Sequence, residues 1–251
     1  MVLSSFSCHR MRLCSARDVF WALSELSPST ACVQDGKICC QGDDTKKISE
    51  RRKNNRMIKS YKDYLNYVEA DRISSGMKNT IRNFLFEDVW AFQRKMRKLE
   101  YITNCQRNII LRLITAFQYR RLGRKLGFEI PINVFGPGLA IAHPGTIVIN
   151  SATRIGANCK LHVCVNIGTS GGDDCAPRIG NNCYIGPGAK IFGCIQLGDN
   201  IAIGANAVVN KSFPEGNMTI GGVPAKKISN KTSEAHLVKG ADVTCATSRN
   251  R

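Results

Sequence analysis

Residues 179–209 read IGNNCYIGPGAKIFGCIQLGDNIAIGANAVV, with Ile179, Ile185, Ile191, Leu197, Ile203 and Val209 standing six apart. Run backwards across one gap of twelve, the same ruler meets Ile167, Leu161, Ile155 and Ile149. The residue after the aliphatic is often glycine: Gly156, Gly168, Gly180, Gly186, Gly198 and Gly204. The residue two before it is small or β-branched: Thr153, Cys159, Val165, Cys183, Ala189, Ile195, Ile201 and Ala207. A period of six suits neither an amphipathic helix nor simple strand alternation. Three hexads make one triangular coil, which hides its aliphatics only by stacking on the next coil, so the stretch predicts a parallel β-helix. An uninterrupted count of about eighteen residues per coil stacks Leu161, Ile179 and Leu197 on one side and Ile149, Ile167, Ile185 and Ile203 on another. The glycines are read as turning the corners. Cys159 and Cys183, in the inward slot, read as small core hydrophobes rather than ligands or nucleophiles.

The ruler fails twice, and sequences tend to break their own pattern at functional or strained sites. From Thr169 to Arg178 it meets Asp173 where an aliphatic belongs, which predicts a loop leaving the coil. Six before Ile149 it meets His143, in Ala142-His143-Pro144-Gly145. Either the phase slips at Pro144-Gly145, or an imidazole takes an aliphatic slot. His143 is a candidate general base, weighed against a first-coil histidine held by backbone bonds. His162, about one coil along, is a second site group or an outward surface residue. His9 and His236 fall in ends that read as poorly structured.

Around the repeat the chain changes character. Residues 1–56 have no sustained periodicity and read as a disordered extension, with orderly sequence starting at Met57. Residues 57–128 read as a small helical domain, 129–229 as the β-helix and 230–251 as a disordered tail. Leu85, Val89, Phe92, Met96 and Leu99 fall on one apolar helix face, with Arg94, Lys95, Arg97 and Lys98 mostly on the rest of the helix surface. Ile110, Ile114 and Phe117 read as the core stripe of a second helix, ended by Gly123 or Gly127. The formal charge is +17, and residues 57–130 carry fifteen Lys/Arg against seven Asp/Glu. That basic helical surface is read as solvated, with no nucleic-acid partner. No apolar run reaches the ~18 residues of a membrane span. Val19–Leu23 is too short for a signal-peptide core, leaving the cytoplasm as the default. The twelve cysteines include no C-x-x-C spacing, which fits reduced thiols and no zinc site.

Ile-Ala-His-Pro-Gly-Thr-Ile-Val-Ile-Asn (141–150), the hexads, and Ile-Gly-Gly-Val-Pro-Ala-Lys-Lys-Ile (220–228) together resemble the serine O-acetyltransferase branch of the hexapeptide-repeat acyltransferases. The resemblance implies a left-handed hand for the β-helix, a homotrimer with active sites between subunits, acetyl-CoA as donor and no metal. It matches His143 to the family's catalytic histidine and sets Glu129 near the carboxylate that orients it. Gly186, Ala189, Gly204, Ala205 and Ala207 match the channel for the pantetheine arm, with Lys211, Lys226 and Lys227 for the CoA phosphates. His162, Asp173, Asp174 and Arg178 are the acceptor-binding candidates.

The chain also departs from that branch. Ala142 stands where an aspartate usually precedes the histidine, the loop carries Asp173, Asp174 and Cys175 but no histidine, and the helical domain is short. The acetyl-transfer residues are kept, and the acceptor is either serine or a saccharide hydroxyl of a capsule or exopolysaccharide. A non-catalytic β-helix scaffold is the reading from another class. A γ-class carbonic anhydrase needs three zinc-binding histidines, and the repeat region has only His143 and His162. Cys175 as an acyl-enzyme nucleophile lacks an identifiable base.

Overall fold

The computed structural model describes residues 58–171 and 175–249, together with the backbone of β1 (Val33–Gln34) and β2 (Lys37–Ile38). Met1–Arg51 and Arg52–Arg251 form separate compact units. In the first, only the antiparallel β1–β2 pair is described. The expectation for 1–56 otherwise lies outside the described residues.

The hexads form three parallel sheets. One runs β16 (Ala225–Ser229), β15 (Thr219–Gly222), β13 (Ala202–Ile203), β10 (Tyr184–Ile185), β7 (Lys160–Leu161), β4 (Ala140–Ile141), with only the β15–β16 pair antiparallel. The second runs β14 (Val208–Val209), β11 (Lys190–Phe192), β8 (Asn166–Gly168), β5 (Ile147–Ile149), β3 (Phe128–Glu129). The third is β12 (Gln196–Leu197), β9 (Arg178–Ile179), β6 (Arg154–Ile155). All ten aliphatic slots from Ile149 to Val209 are buried, as are the eight small or β-branched slots, so the period names the core correctly.

The stacking differs from the straight count. Leu161 pairs with Ile185 and Ile203, Ile149 with Ile167, Ile191 and Val209, and Ile155 with Ile179 and Leu197. The loop after Gly168 takes one hexad out of the coil, so everything beyond it shifts by one side. Within that loop Gly172, Asp173 and Asp174 lie outside the described residues. Cys175 is joined by a disulfide to Cys194, on the connection between β11 and β12. This corrects the expectation of reduced thiols throughout and takes Cys175 out of contention as a nucleophile. Cys159 and Cys183 behave as core hydrophobes; burial pushes both thiols up, Cys183 to about 12.

Corners are turned by asparagine rather than by the repeat's glycines. Asn158, Asn182, Asn200 and Asn217 hold φ between 51 and 58°. Their amides form a ladder, Asn158 donating to Asn182 at 3.0 Å, Asn182 to Asn200 at 3.0 Å and Asn200 to Asn217 at 2.8 Å. Short amide side chains tolerate this left-handed region where most residues do not. The glycines serve close stacking instead: a Cβ on Gly156 would sit 2.8 Å from the Gly180 carbonyl carbon of the next coil.

Among the described residues four helices precede the coil: α1 (Tyr61–Ser74), α2 (Ile81–Phe86), α3 (Asp88–Cys105) and α4 (Ile109–Leu126). Phe92 and Met96 of α3 join the β-helix core beside Phe135, Leu139 and Ile141, closing the open end of the solenoid. Leu99 is buried and Val89 packs on the core, as the stripe predicted. Leu85 falls in α2, because Glu87 is extended and breaks the run. Arg97 is not a surface residue: it is fully buried, corrected by what it meets there. Its guanidinium donates to the carbonyls of Phe135 and Gly136 at 2.9 and 2.7 Å, and to Asp71 and Glu100 at 2.8 and 3.0 Å. Asp71 in turn accepts from the Gly138 and Leu139 N–H groups at 2.9 and 2.8 Å. The unpaired backbone edge of the first coil is thereby satisfied by ions, as a buried edge requires. Burial lowers Arg97, but Asp71 and Glu100 more than restore it, so the guanidinium stays charged.

Ile110, Ile114 and Phe117 on α4 are 72%, 52% and 55% exposed, so this stripe is a surface and not the expected core. Thr115, Leu126 and half-buried Tyr119 and Leu122 face inward instead. The helix ends at Gly127, with φ 77°.

Within the expected disordered tail 230–251, the described residues 230–249 instead carry defined elements. Ser233 is buried and its hydroxyl donates to the Asn182 carbonyl. A 3₁₀ turn (Ser233–His236) follows, then α5 (Gly240–Arg249), whose Gly240 N–H donates to Ser74 of α1 at 3.0 Å. The tail thus straps one face of the coil from its last turn to the helical cap. No described helix is long and apolar enough to cross a membrane.

Candidate active site

Ile141 and Ile149 occupy equivalent slots on two adjacent sides yet lie eight residues apart, while Leu161 and Ile167 one coil above are six apart. The phase therefore slips by two residues at the corner that holds His143. The surplus bulges outward, and His143 is exposed. The corner is pinned from below by the end of α4: Gly145 N–H donates to Leu126 at 2.9 Å and Ile147 N–H to Gly127 at 3.0 Å.

The next coils build a wall above it. His162 follows Leu161 outward, and its ring centroid lies 6.1 Å from that of His143. Tyr184, in register with Lys160, meets the His162 ring edge-on at 5.2 Å. His236, brought in by the tail, stacks on Tyr184 at 4.5 Å. Partial burial, then Lys160, His143 and His236, lower the His162 pKa from the ordinary 6.5. A neutral imidazole can both donate and accept a hydrogen bond.

Neither Tyr184 nor His236 stood out in the sequence. Tyr184 is the outward residue one coil above Lys160, but a count of eighteen misses it because that coil contains the inserted loop. His236 was assigned to an unstructured end. Only the folded tail brings it to the site.

The other candidates divide. Gly186, Gly204 and Ala205 lie on the same corner column as His143, where Gly188 N–H donates to the Val163 carbonyl and Asn206 N–H to the Pro187 carbonyl. Ala189 and Ala207 are fully buried and face the core, so neither can line an outer channel. Lys211, Lys226 and Lys227 are exposed near the last coils, two of them on β16. Glu129 is exposed on β3 in register with Val148, and no described hydrogen bond joins it to His143. Arg178 is on the third sheet, in register with Arg154 and Gln196, along a groove of about 600 Å³ that Asn181, Asp199 and Glu215 also line. Within one chain it is not beside the histidines. Asp173 and Asp174 are outside the described residues. Among the described residues no three His, Cys, Asp or Glu converge as a metal site.

The family model for bacterial transferase hexapeptide (six repeats) matches residues 176–211. A serine acetyltransferase of Helicobacter pylori is 39% identical over 98 residues, 38% of this chain and 57% of its own. The chain thus spans little more than half the length of that relative. A serine acetyltransferase of Buchnera aphidicola is 27% identical over 226 residues, 85% of this chain and 83% of its own. The solved serine acetyltransferase of Neisseria gonorrhoeae superposes with a TM-score of 0.55 at 27% identity, covering 70% of this chain and 71% of that one. The chain has a left-handed, hexapeptide-repeat β-helix fold, and it is similar in sequence and in structure to these serine acetyltransferases.

Proposed function

We propose that the chain moves an acetyl group from acetyl-CoA to a hydroxyl of a small acceptor, as a serine acetyltransferase-type enzyme with His143 as base. The observation that carries the reading is the exposed imidazole at a corner where the hexads slip, with His162 beside it. The acceptor hydroxyl is a weak nucleophile near neutral pH until a base takes its proton. His143 takes that proton as the hydroxyl oxygen bonds to the thioester carbonyl carbon. The tetrahedral oxyanion needs hydrogen-bond donors. It then collapses, the carbon–sulfur bond breaks, and the imidazolium returns its proton to the CoA sulfur. His162, kept neutral, orients the acceptor. Gly186, Gly204 and Ala205 leave a narrow outer corner for the pantetheine arm, and Lys211, Lys226 and Lys227 offer charge to its phosphates. Glu129, Asp173, Asp174 and Arg178 stay with this reading only as acceptor-side or orienting groups supplied across subunits of a homotrimer. A cytoplasmic location also belongs to it, although the Cys175–Cys194 disulfide suits a more oxidising compartment.

A specific observation supports a saccharide as the second reading for the acceptor. Arg178, the loop cation suited to an amino-acid carboxylate, stands on another sheet, whereas the histidines and Tyr184 form an open polar and aromatic wall. The test is CoA release from acetyl-CoA with serine, homoserine and simple sugars, with His143→Ala alongside. Turnover is expected with one acceptor class, and His143→Ala should lower it by roughly a hundred- to ten-thousand-fold. Equal turnover by that variant would sink the mechanism. Absence of CoA release with every acceptor would favour the scaffold reading.

A further inference from the structure

The outer face of the sheet that runs from β4 to β16 gathers cations and imidazoles around one lysine. Lys160 and His162 flank the inward Leu161, so both point outward. Tyr184 stands beside Lys160 in the next coil, and the row continues on either side of this pair with only Ala140 and Ala202. The tail closes the remaining flank: Leu237 and Val238 line a small cleft with Lys160, and His236 stacks on Tyr184. Anchors on both sides of His236 fix it there. Ser233 N–H donates to the Asn200 carbonyl at 3.3 Å, and Ala241 N–H donates to the Asn158 side chain at 2.9 Å. A single chain therefore assembles Lys160, His162, Tyr184 and His236 by its own contacts.

Lys160 is half-buried, and among the described residues no hydrogen bond or ion pair reaches its ammonium. Lys190, on the adjacent sheet, is placed differently, donating to the Cys164 carbonyl at 2.7 Å. The described carboxylates of the tail are engaged elsewhere, Glu234 with Lys239 at 3.2 Å and Asp242 with the Asn158 amide at 3.1 Å. Partial burial and then the charges of Lys160, His143 and His236 act on His162, all of them lowering its pKa, and no carboxylate is among them. A half-buried cation without a counter-ion is costly, and a charge-assisted bond to a ligand anion offsets that cost. We propose that Lys160, with His162 and His236, holds a carboxylate of the acceptor, so that the hydroxyl acetylated belongs to a hydroxy acid. The hydroxyl's part rests on the acetyl-transfer reading, whereas the anion subsite does not. An acceptor held there by its carboxylate extends its other end along the wall toward His143, whose ring lies next to that of His162. The anion subsite thus moves from Arg178, which stands on another sheet, to the outer face of the coil. Hydroxy amino acids and sugar acids share this chemistry.

The test titrates the full chain with matched pairs, L-serine against ethanolamine and D-glucuronate against D-glucose, while NMR follows the imidazoles of His162 and His236. One acid is expected to shift both rings and to raise the His162 pKa, because a nearby anion favours the imidazolium. Its uncharged partner should do neither, and the pair that responds identifies the source of the carboxylate. In CoA release with that acid, Lys160→Gln should raise the acceptor KM about ten- to a hundredfold while kcat is largely kept, and Lys160→Arg should restore it. An unchanged circular dichroism spectrum is expected for both variants. Equal response to both members of each pair, response to neither acid, or an acceptor KM unmoved by Lys160→Gln would overturn the proposal. So would a Lys160→Gln chain that sediments as a smaller assembly than the wild type, because the lysine would then belong to a contact between subunits. Acid-selective shifts without CoA release would keep the anion subsite and overturn the acetyl-transfer reading instead.

Discussion

Gly186 and Gly168 occupy the same place in the hexad, yet the fold constrains them differently. A Cβ on Gly186 would lie 2.7 Å from the Ile203 carbonyl oxygen and 2.9 Å from the Ala205 nitrogen, both backbone atoms that cannot swing away. On Gly168 the nearest atom would be the Asn166 side-chain oxygen at 3.8 Å. Gly186→Ala should therefore cost about 1–3 kcal/mol by overpacking, and Gly168→Ala should stay within about 0.5 kcal/mol, both read from urea unfolding. Equal midpoints for the two variants would contradict close stacking as the reason for the glycine. The periodic glycine was plain in the sequence, but its cause was not, because the left-handed corner positions belong to Asn158, Asn182, Asn200 and Asn217. An asparagine ladder is invisible until the coils are in register, since its members sit 24, 18 and 17 residues apart.

At the level of elements, the helical cap and the β-helix meet through a buried ion network rather than through apolar packing alone. Arg97 is held by Asp71, Glu100 and two carbonyls of the first coil, with none of the three charged side chains exposed. Removing one member leaves uncompensated charge in the interior. Arg97→Leu should destabilise the fold by about 3–5 kcal/mol. The exposed ion pair of Lys125 with Asp88, 2.6 Å apart, is the control. Lys125→Gln should cost less than about 1 kcal/mol, because solvent screens that pair. Chemical denaturation of both variants checks the contrast, and comparable losses would show that the cap is held mainly by Phe92 and Met96. Helical periodicity found those two residues but misplaced Arg97. A pattern reader assigns arginine to water, and only the bare edge of a first coil gives a buried guanidinium enough acceptors.

For the whole molecule, the tail changes what the site is. Running back along the coil, it stacks His236 on Tyr184 and adds a third imidazole's charge near His162. Because His162 is lowered in the folded state, its neutral form persists below the ordinary 6.5. The unfolded chain then takes up the proton first on acidification. The stability from His162 is accordingly present above about pH 6.5 and is lost as pH falls from there toward the folded-state value. His236→Gln removes one of the charges that lower it, so the His162 titration followed by NMR should move upward. A titration that does not move, or moves down, would mean the tail leaves the site's electrostatics untouched.

Residues 149–209 determined by themselves that the chain is a β-helix, which residues face its core, and that His143 stands at a fault in the repeat. Those readings need only a period and the requirement that aliphatic side chains leave water. The three-dimensional structure decided how the coils register across the loop, that Arg97 goes inside, that the α4 stripe stays outside, and that Tyr184 and His236 join the histidines. Each of these depends on contacts between segments far apart in sequence. A local pattern fixes which face of an element is apolar, but it does not say what lies opposite that face.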